Sequence, residues 1–296
     1  MSLYHSEAVR ASLAAWYPRF LARVPVPTSH RTLATRHGET HVLVAGPEDA
    51  PPLVVLHGAL ATSAHLLPEV APLLRTRRVY AVDVLGQSTH SADHRPDVTG
   101  PAYPEWVSDV LDGLGLAHTA LLGVSWGGFV ASRAATTMPG RVDALVLVVP
   151  AGIIATPPLA ALWGLGLPLA GWTLFRRRAS LDALVAAVFT TPDPDWQAYM
   201  AEAFLAYKMD FSAPPPLTAA EAAGFAGPVL VFGATHDLSF PGDLLLARAR
   251  ALWPHAETER LVGVKHSPAT DPASREALCT RIASFLDRVP ASKVSP

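Results

Sequence analysis

Gly123-Val124-Ser125-Trp126-Gly127, followed at once by Gly128, is the stretch from which the rest of this chain can be read. Before it stands Ala120-Leu121-Leu122, an apolar run that predicts a short buried strand. After it comes Phe129-Val130-Ala131-Ser132-Arg133-Ala134-Ala135, which predicts a helix. A Gly-x-Ser-x-Gly run between a strand and a helix makes a turn too tight for Cβ atoms at its flanking positions. Such a turn pushes the serine hydroxyl clear of the backbone and aims the next N–H at whatever that hydroxyl meets. Alone the pattern is weak; between these neighbours it is specific.

Working outward, Val42-Leu43-Val44, Leu53-Val54-Val55-Leu56, Val79-Tyr80-Ala81-Val82, the run from Leu145 to Val149 and Val229-Leu230-Val231-Phe232 predict further strands. Their hydrophobicity is continuous rather than alternating, as in strands covered on both faces of a mostly parallel sheet. Leu66–Leu74, Pro104–Leu114, Gly127–Thr137 and Ser274–Leu286 predict helices. The fold class is therefore α/β, a mostly parallel central sheet flanked by helices. The alternation fails between about 151 and 226, a stretch rich in proline and aromatic residues (Trp163, Trp172, Phe175, Phe189, Trp196, Tyr199, Phe204, Tyr207). It is too long for a loop and has helical periodicity at Leu181–Phe189 and Trp196–Tyr207. We read 151–226 as an inserted helical cap, with Pro214-Pro215-Pro216 marking the return to a core built from 1–150 and 227–296. Leu3, Val9, Leu13, Trp16, Phe20 and Leu21 predict an amphipathic amino-terminal helix, about 4–24, docked on that core.

Composition narrows the function classes. With 296 residues and a formal net charge of −2, the chain can bury a large core but carries no electrostatic footprint for nucleic acid. A single cysteine, Cys279, excludes an intramolecular disulfide and reads as a core residue; no His/Cys spacing suggests a metal site. The amino terminus contains Glu7, Arg10, Pro18 and Arg19 and lacks an uninterrupted apolar core, so it does not read as a convincing signal peptide, and a cytoplasmic protein is expected. Ala144 to Phe175 contains no charged residue and is followed by Arg176-Arg177-Arg178. Its length would admit a membrane span, but it begins as a β-branched run and then meets Pro150, Pro157, Pro158 and Pro168. Each proline inside a helix costs about 3 kcal/mol. A buried strand followed by an apolar lid is the better reading, and lipid contact through that lid stays open.

Open α/β sheets place their sites beyond the carboxyl ends of the strands. The polar residues there are His57-Gly58-Ala59-Leu60 after the second strand, Asp83 after the third, Ser125, then His236-Asp237 after Val229–Phe232. Later, Gly263-Val264-Lys265-His266 places a histidine before the final helix.

In this order the chain resembles an α/β-hydrolase-fold serine hydrolase, over roughly Thr40 to Leu286 and least through the cap. Val79-Tyr80-Ala81-Val82-Asp83 with Gly86 and Ser88 is similar to capped bacterial carboxylesterase-like members. The resemblance implies Ser125 as nucleophile, His266 as the base that takes its proton and Asp237 as the carboxylate that orients the imidazole. It also implies oxyanion donors in the backbone N–H groups of Ala59 and Trp126. His57 is expected to brace the oxyanion turn, Asp83 to order its own turn while remaining a reserve acid, and His236 to be a polar loop residue. His65, His90 and His94 are expected at the surface or the pocket rim.

Two departures refine the resemblance. The turn after Asp83 is shorter than the common Asp-x-x-Gly-x-Gly-x-Ser form, and serine rather than aspartate at 125 argues against branches in which a carboxylate attacks. The expected activity is hydrolysis of a carboxylic ester through an acyl-enzyme on Ser125, with a hydrophobic acyl or aryl group bound by the cap. The same triad would also serve C–C or lactone hydrolysis or acyl transfer, and a binding-only protein on this fold is the remaining alternative. The implied partner is a small ester-like molecule, with no cofactor and no metal; oligomeric state cannot be read.

Overall fold

The computed structural model describes residues 2–157, 162–208 and 213–289. Parts of the expected cap, 158–161 (with Pro158) and 209–212, lie outside the described residues, as do Met1 and 290–296.

The strands are β1 (Ser29–Thr35), β2 (Gly38–Ala45), β3 (Pro52–Leu56), β4 (Arg78–Val82), β5 (Thr119–Val124), β6 (Val142–Val148), β7 (Val229–Ala234) and β8 (Glu257–Leu261). They form one eight-stranded sheet in the order β1-β2-β4-β3-β5-β6-β7-β8. β2 runs antiparallel to β1 and β4, and every other pairing is parallel. Within each central strand the continuous apolar run divides between two cores. Leu53 and Val55, Val146 and Val148, Leu230 and Phe232 join one; Val54 and Leu56, Leu145 and Leu147, Val229 and Val231 join the other. That is the period-two geometry of strands buried on both sides.

Early helices are α1 (Glu7–Ala14), α2 (Tyr17–Leu21), α3 (Ser63–Leu66), α4 (Ala102–Leu114) and α5 (Trp126–Thr137). Two expectations are corrected here. The amino-terminal segment forms two short helices rather than one, with Pro18 in the first turn of the second. The helix expected over Leu66–Leu74 is instead α3 and a 3-10 turn, Ala71–Arg75, because Pro68 and Pro72 cannot donate to a continuous ladder. Gly115 closes α4 in the left-handed conformation (φ 73°), which glycine adopts without a Cβ penalty.

Between β6 and β7 lie a π turn, Leu162–Gly166, and the helices Leu167–Phe175, Arg178–Val188 and Pro194–Ala206. Asp193 caps the last of these, accepting from the Asp195 and Trp196 amides. The chain is back at the core by Leu217, whose N–H donates to the Gly152 carbonyl at 2.7 Å. The amino terminus straps these helices down. The His5 N–H donates to Ala206 O at 3.1 Å and the Lys208 N–H to Leu3 O at 2.7 Å, with a β-bridge between Tyr4 and Tyr207. Arg23 reaches both Asp193 and Asp195, and Phe20 packs against Trp196 and Tyr199. No helix among the described residues is long and apolar enough to cross a membrane.

Candidate active site

β5 delivers Ser125 at its carboxyl end with φ 52° and ψ −114°, outside the regions that side chains ordinarily tolerate. The turn survives because its neighbours lack Cβ atoms. One added at Gly123 would lie 2.3 Å from the Gly127 carbonyl oxygen, and one at Gly127 would lie 2.0 Å from that of Leu56. The turn sets the Ser125 hydroxyl just beyond the carboxyl end of β5.

β7 ends in the loop that carries Asp237, and the loop after β8 carries His266. Ser125 Oγ lies 2.8 Å from His266 Nε2, and His266 Nδ1 lies 2.8 Å from Asp237 Oδ2. Asp237 is buried and its other oxygen accepts the Ser239 and Phe240 amides, at 2.7 and 3.0 Å. With both oxygens committed, the carboxylate cannot turn away from the imidazole. The Phe240 ring stands edge-on to His266, 5.5 Å between centroids. The three residues singled out by sequence therefore meet in one line.

Trp126 opens α5, and Ala59 follows Gly58 at the end of β3. Neither backbone amide donates elsewhere among the described residues. His57 braces this turn as expected. Its Nε2 accepts the Val84 N–H at 2.9 Å, which leaves Nδ1–H to donate to the Gly58 carbonyl at 2.8 Å. Burial pushes its pKa down, so it stays neutral and outside any proton relay.

Asp83 stays apart from His266 and builds a second network. It accepts from the Ser63 N–H (2.8 Å), the Ser63 and Ser88 hydroxyls (2.6 Å each) and His41 Nδ1 (2.7 Å). Burial alone would raise its pKa, but His41, His57 and Ser63 outweigh that and hold the carboxyl well below its ordinary range. His30 Nδ1 extends the chain to His41 Nε2 at 2.9 Å. The network ties β2, β4 and α3 together beneath the oxyanion turn.

The site opens into a cavity of about 400 Å³. Its walls are mostly apolar, with Leu60, Val70, Val124 and Val148 from the core and Leu169, Leu184, Phe189, Trp196, Met200 and Phe204 from the helices above. His65, expected at the surface or rim, is instead buried in the wall, because Phe20, Trp196 and Tyr199 close over its ring at 3.9, 4.5 and 4.3 Å. Burial drives its pKa well below the ordinary value, and its Nε2 has no partner. His90 is partly buried against Tyr17, whereas His94 and His236 are exposed.

Two wall residues escaped the sequence reading. Glu69 and Arg275 form an ion pair at 3.0 Å, and burial pushes the Glu69 carboxyl up against the pull of that arginine. Cys279 also lines the cavity, as a buried thiol raised to about 12 by desolvation. Nothing in the local pattern distinguishes Glu69 or Arg275 from surface charges.

The α/β-hydrolase-fold family profile matches residues 51–194. An uncharacterized carboxylesterase of Bacillus subtilis, nap, is 38% identical over 135 residues, which are 46% of this chain and 45% of that protein. Carboxylesterase YbfK of the same organism is 36% identical over 135 residues, 46% of either chain. The match to these curated relatives thus spans less than half of their length. The crystal structure of carboxylesterase CesB (YbfK) from Bacillus subtilis superposes with a TM-score of 0.81 and 25% identity, covering 94% of this chain and 98% of that one. This chain has the α/β-hydrolase fold and is similar to bacterial carboxylesterases.

Proposed function

We propose that this α/β-hydrolase-fold chain hydrolyses carboxylic esters of small molecules through an acyl-enzyme on Ser125. The continuous Ser125–His266–Asp237 line, at 2.8 Å per link and at the foot of an apolar cavity, carries this reading.

Ser125 Oγ attacks the ester carbonyl carbon while His266 Nε2 takes its proton. Asp237 holds Nδ1–H in place and stabilises the imidazolium that forms. Negative charge gathers on the carbonyl oxygen, between the Ala59 and Trp126 N–H groups. A donor of this kind is worth about 3 kcal/mol in the transition state. Collapse breaks the bond to the alkoxy oxygen, which leaves with the proton from His266. Water then loses a proton to His266 and attacks the acyl carbon, releasing the acid and restoring Ser125.

The helices of 151–226 serve as the cap over a core of 1–150 and 227–296. Their apolar wall binds an acyl or aryl group away from water, as ligand cavities generally do. The test is covalent labelling with a fluorophosphonate probe. Labelling at Ser125, absent in Ser125→Ala along with p-nitrophenyl ester turnover, is expected; an unlabelled wild type or an active Ser125→Ala would overturn the reading.

A further inference from the structure

Leu162–Phe175 has no charged residue and is apolar on every side. Its inner side is used: Leu165 and Leu169 line the cavity, and the Trp172 indole donates to the Ala201 carbonyl at 3.1 Å. Trp163, Leu167 and Leu174 are spaced to share the opposite side, with Phe175 beside them. A helix apolar all round is ordinarily buried all round. Here Trp163, Leu174 and Phe175 are 68, 72 and 65% exposed.

Exposed arginines follow directly. Arg178 pairs with Asp182 at 3.0 Å, whereas Arg176 and Arg177 form no ion pair among the described residues. Arg177 lies over the Phe175 ring, 5.2 Å from its centroid. Arg176 also donates to the Trp172 and Thr173 carbonyls, so a chain with net charge −2 places positive charge with no carboxylate partner among the described residues at the end of this exposed apolar helix. That helix sits on the triad loop, since a Cβ at Gly164 would lie 2.6 Å from Leu238, the residue after Asp237.

We propose that the outer side of Leu162–Phe175 and the arginines after it dock this protein on an anionic lipid surface. Tryptophan, leucine and phenylalanine enter the headgroup boundary, and Arg176 and Arg177 meet the lipid charge, as interfacial amphipathic helices do. A second copy of this chain fits less well, because self-docking would bring arginine clusters together while the nearby acid, Asp182, is already paired with Arg178 of its own chain. Delivery of an ester from the lipid into the cavity rests on the hydrolase reading above; docking itself does not.

The experiment is co-sedimentation of the full chain with phosphatidylcholine vesicles, with and without phosphatidylglycerol. Wild type is expected to sediment with the anionic vesicles and to be released by salt. Arg176→Gln with Arg177→Gln should weaken partitioning roughly 25-fold, about fivefold for each arginine. Trp163→Ser with Leu174→Ser and Phe175→Ser should abolish it while the melting temperature and the turnover of soluble p-nitrophenyl acetate are kept. No sedimentation of wild type, or equal sedimentation of the serine variant, overturns docking. A concentration-dependent dimer abolished by that variant, without vesicle binding, overturns it in favour of self-association. Loss of esterase activity alone bears on the hydrolase reading and leaves docking standing.

Discussion

Thr190 holds both backbone neighbours of His266: its hydroxyl donates to the Ser267 carbonyl at 2.5 Å and accepts the Lys265 N–H at 3.0 Å. The Ser267 N–H in turn donates to Val188 O at 2.8 Å. The imidazole is thus held from the helix Arg178–Val188 as well as from the core.

Thr190→Val keeps the shape and removes both side-chain bonds, each worth about 1 kcal/mol. We expect ester turnover to fall about tenfold through kcat with KM little changed, because the imidazole is placed less often. Steady-state kinetics on p-nitrophenyl butyrate checks this.

Asp237→Asn leaves the shape of the line intact but disfavours the tautomer with Nδ1–H. Turnover is expected to drop by about 10⁴. A melting temperature close to wild type, measured alongside, separates that loss from unfolding.

Gly127→Ala drives a methyl group to 2.0 Å from the Leu56 carbonyl, whereas a Cβ at Gly140 meets nothing within 4 Å. The first substitution should cost about 3 kcal/mol or more and the second less than about 1 kcal/mol. Urea denaturation midpoints compare them directly.

His65 is held well below the ordinary imidazole value of 6.5 by burial. The unfolded chain takes a proton that the folded chain refuses, so this contribution is full above about pH 6.5 and declines as pH falls. His65→Phe removes that penalty and the unpartnered Nε2. The melting temperature should therefore fall less between about pH 7 and pH 5 in the variant than in wild type.

The central strands were legible because burial on two faces writes itself as a continuous apolar run. β1 and β8 were not, since Ser29–Thr35 and Glu257–Leu261 are largely polar edge strands whose partners lie elsewhere in the chain. Ser125, Asp237 and His266 were legible because each follows a strand or precedes the last helix. The Asp83–His41 pairing was not, because it depends on the register that sets Val42 opposite Val82. His65 was misplaced for a related reason: the aromatic rings that bury it come from two distant segments.

The strap at Leu3–His5 anchors the end of the helix Pro194–Ala206, one of the helices that roof the cavity. Swinging that helix aside would first require unzipping the amino terminus. Anything that tugs on the start of the chain, an affinity tag included, tugs on that roof.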